Sequence, residues 1–209
     1  MRDRASALLI DLDGVLRVFD PGLAATVERR HQLPEGELYR VAFAWGRLRP
    51  AIVGDQTHEA WLESIAAELA TTTGSAPAEA RAWVEEWQAD RGRIVPEVLE
   101  LVRELRAARV PVGLATNATS RLDTDLALLG IADEFDVVVN SSIIGVHKPA
   151  REFFATACVA VGTTPARCFF VDDDDRHVRG ARVAGLSAYR WTGPGDLPYL
   201  RAALAVPAG

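Results

Sequence analysis

The sequence predicts an α/β fold, a parallel sheet with helices on both faces plus a helical insertion, and three observations predict it. Five short apolar runs, Ala7 to Ile10, Val110 to Ala115, Phe135 to Val139, Cys168 to Val171 and Leu186 to Tyr189, have the length and continuity of strands buried on both faces. Amphipathic helical patterns separate the last four runs, the alternation of a parallel sheet. The first two runs are instead separated by residues 16–94, which carry only helical patterns. The expected division is a core of residues 1–15 and 95–209 with an inserted helical domain of residues 16–94.

Each element has a local reason. The first run stops at Asp11. In the insertion Thr57 stands where it can cap "HEAWLESIAAELA", whose Trp61, Ile65 and Leu69 form one stripe, and "AEARAWVEEWQAD" sets Trp83 and Trp87 one turn apart. Trp45, Trp61, Trp83 and Trp87 are expected to pack the interior of a small bundle, joined to the core by linkers near Val15 to Pro21 and Gly92 to Pro96. Pro96 opens "PEVLELVRELRAA", where Val98, Leu101, Val102 and Leu105 share a face. Ser120 is expected to cap a helix that turns Leu122, Leu126 and Leu129 inward and ends at Gly130. Two more helices, from about Arg151 to Gly162 and from about Arg176 to Gly185, each stop at a glycine.

Composition narrows the function. The 209 residues are 49% hydrophobic and 25% charged, ordinary for a globular α/β chain with a real core. A net charge of −6 argues against a nucleic-acid partner, which needs a basic face. The apolar run near the start is broken by Asp11, too early for a signal peptide, and no stretch approaches the roughly 18 apolar residues of a membrane span. Cys158 and Cys168 have neither metal-site nor disulfide-framework spacing and are expected to be buried, reduced thiols, so the expected compartment is the cytoplasm. No protein partner is evident.

The polar residues cluster where the strands end. "LLIDLDGVL" places Asp11 and Asp13 after the first strand, "VGLATNATS" places Thr116 and Asn117 after the second, "VVVNSSIIGVHKP" leads from the third to Lys148, and "CFFVDDDDRHV" places Asp172 and Asp173 after the fourth. In a parallel α/β sheet these positions share the carboxyl edge, where such folds bind ligands. Asp11, Asp13, Asp172 and Asp173 together would repel unless some were protonated or a hard cation such as Mg²⁺ joined them, and Mg²⁺ keeps open positions for phosphate oxygens. A carboxylate can be the nucleophile of phosphoryl transfer, while Thr116, the Asn117 backbone N–H and Lys148 can hold the equatorial oxygens. Lys148 is the single lysine among 23 basic residues of the Lys and Arg types, as a compact point charge between a phosphate and a carboxylate would require.

Together these motifs resemble the haloacid dehalogenase superfamily, in the branch with a small helical cap of the C1 type inserted after the first strand. The resemblance runs from Leu8 to about Gly185. It implies a Rossmann-like core with its five strands in the order 5-4-1-2-3, and a Mg²⁺-dependent phosphatase acting on a small phosphorylated metabolite. Asp11 would be the nucleophile and Asp13 the general acid and base. The metal would be held by Asp11, by Asp13 or the Leu12 backbone carbonyl, by Asp173 as principal ligand of the fourth motif, and by Asp172 directly or through water. Thr116, Asn117 and Lys148 would bind the phosphate.

Two positions depart from the pattern: His177 stands where many relatives have asparagine, and Ala150 follows "KP" where aspartate is usual. Asp174 and Asp175 are expected to form a solvated acidic loop, and His31, His58 and His147 to lie at the surface or at helix caps, His147 being the one that could reach the pocket rim. Asp13 speaks against a dehalogenase, and the insertion lacks the lysine a phosphonate hydrolase would need. A phosphomutase on the same core and a phosphate-binding module without turnover remain as alternatives.

Overall fold

The computed structural model describes residues 5–204; residues 1–4 and 205–209, the two ends of the expected core, lie outside the described residues. Strand β1 (Ala7–Ile10) leads into β2 (Arg17–Val18). Helices α1 (Leu23–His31), α2 (Glu37–Ala42), α3 (Trp45–Ile52), α4 (His58–Thr73) and α5 (Pro77–Trp87) follow, then β3 (Arg93–Ile94). The chain continues through α6 (Pro96–Ala107), β4 (Val112–Thr116), α7 (Leu122–Leu128), β5 (Val137–Asn140), α8 (Ser141–Ile144) and α9 (Arg151–Ala160). It ends in β6 (Cys168–Asp172), α10 (Asp175–Val183), β7 (Ser187–Arg190) and α11 (Leu197–Leu204).

The main sheet is parallel, in the order β5-β4-β1-β6-β7, so the first strand is central as expected and only the strand numbers change. Alternation along β1 shows why it is continuously apolar. Leu8 and Ile10 face a core shared with Val98, Leu101, Val102 and Leu105 of α6, whereas Ala7 and Leu9 face one shared with Phe153, Phe154 and Ala157 of α9. Each such leucine or isoleucine withdrawn from water contributes about 1.5–3 kcal/mol. Strand β4 starts two residues later than the sequence suggests, after Pro111, which has no N–H for the ladder but whose carbonyl accepts the Leu8 N–H at 2.9 Å.

A separate cluster fills the space among α1 to α5, with Trp61, Ile65, Leu69, Trp83 and Trp87 inside it. Thr57 caps α4 through its hydroxyl, which accepts the Ala60 N–H. Trp45 does not join that cluster: it is 54% exposed and meets the His147 ring edge-on at 5.2 Å. Both linkers are strands rather than plain loops, because β2 and β3 pair antiparallel, Arg17 opposite Ile94 and Val18 opposite Arg93. Ser120 is not the cap of α7. Arg121 occupies that position without a side-chain cap, and the Ser120 hydroxyl instead accepts the His58 N–H at 2.9 Å, tying α4 to the loop after β4. Cys158 and Cys168 are both buried and free.

Helix α10 packs closely on the loop that carries Lys148. A Cβ at Gly180 would stand 2.5 Å from the Pro149 Cβ and 2.8 Å from its carbonyl oxygen. Gly180→Ala should therefore reverse the usual helix preference, in which alanine gains about 1 kcal/mol over glycine. We expect a loss of about 1–3 kcal/mol from overpacking, read as a lower unfolding midpoint in urea; a rise in the midpoint would show that the two segments part without cost.

Candidate active site

The β1–β6 register sets the site. Ile10 pairs with Val171, so the next residues, Asp11 and Asp172, emerge side by side at the carboxyl edge of the two central strands. Both are buried, and Lys148 is buried between them with its side chain sealed from solvent. Its Nζ donates to Asp172 Oδ2 at 2.6 Å and stands 2.8 Å from Asp11 Oδ1. The Asp11 contact has the distance of an ion pair, and this buried oxygen has no other partner. Lys148 is itself positioned by Asn117, whose side-chain oxygen accepts the Lys148 N–H at 2.7 Å and whose amide donates to the Lys148 carbonyl at 3.1 Å. Thr116 is buried at the end of β4, beside Asn140 in the neighbouring strand.

Asp172 is the most heavily bonded carboxylate. Besides Lys148 it accepts the Asp174 N–H at 2.8 Å and faces His177 Nδ1 at 3.1 and 3.2 Å. Burial alone would raise its carboxyl, but the His177 hydrogen bond and the Lys148 charge outweigh that and hold it below the ordinary value. The histidine at this unusual position thus holds the acidic loop in place. Asp173 goes the other way, raised by burial and by the adjacent Asp172 charge. Its carboxylate lies over Gly14, which is left-handed at φ +84°, and a Cβ there would come within 2.2 Å of Asp173 Oδ2. Asp174 is not merely a solvated loop residue: its side chain caps α10 by accepting the Arg176 N–H, and Asp175 is the first residue of that helix.

Oxygens of Asp11, Asp172 and Asp173 all lie within 4.8 Å of one another. The donor set is all carboxylate, and one of its oxygens is buried with no partner besides the Lys148 ammonium, so these residues fit a hard divalent cation. Two residues expected beside them are directed elsewhere. The Leu12 carbonyl is committed to the turn after β1, where it accepts the Leu16 N–H at 2.9 Å and the Arg17 N–H at 2.7 Å. The Asp13 carboxylate is gripped by Arg17 through Nε at 2.6 Å and a terminal nitrogen at 3.0 Å. Arg17 also reaches Asp125 of α7 at 3.1 Å, and Arg121 holds the other Asp125 oxygen at 3.0 Å.

His58 is a second departure, buried rather than at the surface. Its Nδ1 lies 2.9 Å from the Thr119 hydroxyl and its Nε2 lies 3.0 Å from an Arg121 nitrogen. Arginine can only donate, so Nε2 accepts and the proton belongs on Nδ1, a neutral tautomer in keeping with the lowering of its pKa by burial. Nothing in the sequence joined Arg17, Asp125, Arg121 and His58 into one network, since the Arg17–Asp125 and His58–Arg121 contacts link elements remote in the chain. His147 stays near Lys148 by donating from Nδ1 to the Lys148 carbonyl at 2.7 Å.

A model of the haloacid dehalogenase-like hydrolase family matches residues 5–185. The chain is similar to a phosphatase of Mycobacterium tuberculosis, 33% identical over 191 residues that cover 88% of this chain and 86% of that one. It is 28% identical to a ribulose-1,5-bisphosphate 5-phosphatase of Halopiger xanaduensis over 87% of this chain and 82% of the relative. Among solved structures it superposes with a TM-score of 0.71 on a haloacid dehalogenase family enzyme of Bacteroides thetaiotaomicron in complex with magnesium and inorganic phosphate, at 21% identity over 94% and 98% of the two chains. Among the described residues no helix is long and apolar enough to cross a membrane.

Burial, only partly offset by Lys148, pushes the Asp11 carboxyl up to about 7. A carboxyl raised in the folded chain binds its proton more tightly there than unfolded. Its stabilising contribution is therefore complete below about pH 4, the unfolded value, and is lost as pH rises through the folded one. In EDTA, the melting temperature of the wild type relative to Asp11→Asn is expected to fall as pH rises through that range. A difference that stays flat with pH would show that Asp11 is ionised throughout.

Proposed function

The chain belongs to the haloacid dehalogenase-like hydrolases and is a hydrolase of the phosphatase kind, and on that premise we propose that it cleaves a small-molecule phosphate monoester through an aspartyl-phosphate on Asp11. The observation that carries this reading is the placement of Lys148, sealed from water between Asp11 and Asp172, beside a buried Asp11 oxygen that has no other partner. Three carboxylates and one ammonium leave the cluster negative, and a phosphate dianion cannot approach it without a further cation. Asp11, Asp172 and Asp173 would hold Mg²⁺, with Asp173 as the principal ligand and Asp172 direct or through water. When bound, the ion supplies the positive charge that lets phosphate approach the carboxylates.

Asp11 attacks the phosphorus through a carboxylate oxygen as the bond to the leaving oxygen breaks, and Asp13 gives that oxygen its proton. Water then attacks the phosphorus of the aspartyl-phosphate and loses its proton to Asp13, releasing inorganic phosphate and restoring Asp11. Lys148, Thr116 and the Asn117 backbone N–H hold the equatorial oxygens through both steps. Because Arg17 holds both Asp13 oxygens, acid–base work requires that pair to open. Residues 16–94 act as the cap that covers the leaving group, and the β2–β3 pair is its hinge.

Hydrolysis of p-nitrophenyl phosphate is expected with Mg²⁺ and is expected to vanish in EDTA; full activity in EDTA would remove the metal from the reading. Asp11→Asn should abolish turnover, and phosphate from labelled substrate should be trapped on Asp11 of the wild type. Asp13→Asn should slow both steps on the order of 10²- to 10⁴-fold.

Lys148→Arg keeps the charge but must fit a planar fork into a space closed by two carboxylates and the Phe170 ring, whose centroid is 5.5 Å from Nζ. A misplacement of about 1 Å costs roughly 10²-fold, so kcat/KM should fall at least about tenfold at saturating Mg²⁺. Wild-type kinetics for this variant would mean that the ammonium does not touch the transferring group.

A further inference from the structure

We propose that the leaving group of the substrate is a compact, largely apolar ring system of one or two rings, an assignment that rests on the phosphomonoester reading above. Asp13 and Asn117 line a cavity of about 220 Å³ that extends toward α4 and α5. Its remaining wall includes five aromatic rings, Phe19, Tyr39, Phe43, Trp61 and Trp87. The Trp87 ring meets Tyr39 and Phe43 edge-on, both at 86°, and Trp61 at 61°, so the rings stand at steep angles around a common space rather than in one stack. Trp61 and Trp87 are buried, yet Tyr39 and Phe43 remain 42% and 47% exposed although they pack on each other at 5.5 Å. Large aromatic faces left half covered beside a reacting group are what an apolar ligand would cover.

The polar groups of the cavity are mostly engaged already. Arg17 is held by Asp13 and Asp125, His58 by Thr119 and Arg121, and the Trp61 N–H by the Ala42 carbonyl. The carboxylates of Asp20 and Asp90 accept backbone N–H groups of the linkers. Among the described residues, Gln88, Arg91, the Tyr39 hydroxyl and the Trp87 ring N–H are the lining side-chain groups with no hydrogen bond, a few polar positions set among the rings. A polyhydroxylated leaving group would exchange water for a wall made largely of ring faces and aliphatic carbon, with few free donors and acceptors. Size points the same way. A dry cavity of about 150 Å³ accommodates benzene, whereas pockets for larger ligands run from roughly 300 to 1,000 Å³. One ring or a fused pair fits; a nucleotide or a flavin does not.

The test uses 2-phenylethyl phosphate, ribose 5-phosphate and ethyl phosphate, all esters of primary alcohols, so that leaving-group basicity contributes little to the comparison. With Mg²⁺, the wild type is expected to favour 2-phenylethyl phosphate over both others by at least about tenfold in kcat/KM. Phe43→Ala and Tyr39→Ala remove half-exposed rings, and their folding is checked by melting temperature. Each should lose at least about tenfold more on 2-phenylethyl phosphate than on ethyl phosphate. Turnover of all three esters without preference for the ring, a preference for the sugar phosphate, or equal losses on every ester in both variants would overturn this assignment alone. No turnover of any ester, p-nitrophenyl phosphate included, would overturn the phosphatase reading and this assignment with it.

Discussion

An ammonium group enclosed by protein cannot shed its charge into water, and the site is organised around matching the one on Lys148. Desolvation pulls its pKa down, but Asp11 and Asp172 pull harder and keep the group protonated. Two carboxylates reach the same ammonium only because β1 and β6 are neighbours in parallel register, which brings their ends level. The loop must then deliver the lysine from the far side of β4 and β5. That delivery depends on the two Asn117 hydrogen bonds to the Lys148 backbone and on the bare face of Gly180 against Pro149. Breaking one partner of such a buried pair costs about 3–5 kcal/mol, far more than any exposed ion pair on this surface contributes.

Much of this was legible in the chain. Strands buried on both faces read as unbroken apolar runs, and the polar residues that end them read as one edge once the sheet is taken as parallel. The stripes of α4 and α6 were legible because their burial is periodic and local. What could not be read were interactions between elements remote in sequence. Ser120 has the chemistry of a helix cap, yet the nearer competitor for its hydroxyl is an N–H that lies 62 residues away in the chain. Trp45 looks like the other cap tryptophans by type, and only the path of α3 reveals that its ring lies outside the bundle.

The acid–base candidate shows the same limit. Spacing alone sets Asp13 beside Asp11, but the partner that orients its carboxylate, Arg17, sits in the short strand that leaves the core. Arg17 is in turn steadied by Asp125 and Arg121, which also hold His58 at the start of α4. A single partly buried network therefore joins the carboxyl edge of the sheet, the β2–β3 pair and the first turn of a bundle helix. Any displacement of α4 relative to the sheet has a direct route to the Asp13 carboxylate.

The two-residue ladder between β2 and β3 has an evolutionary corollary. Paired strands lie about 4.7–4.9 Å apart, so the chain leaves the core and re-enters it through one narrow doorway. Closing a longer excursion across a fixed doorway costs little, about 0.6 kcal/mol for each doubling of its length. What lies beyond Val18 and before Arg93 is in that sense a cassette. A lineage can lengthen, shorten or replace it, and with it the cavity walls it contributes, while the sheet and its buried lysine stay as they are.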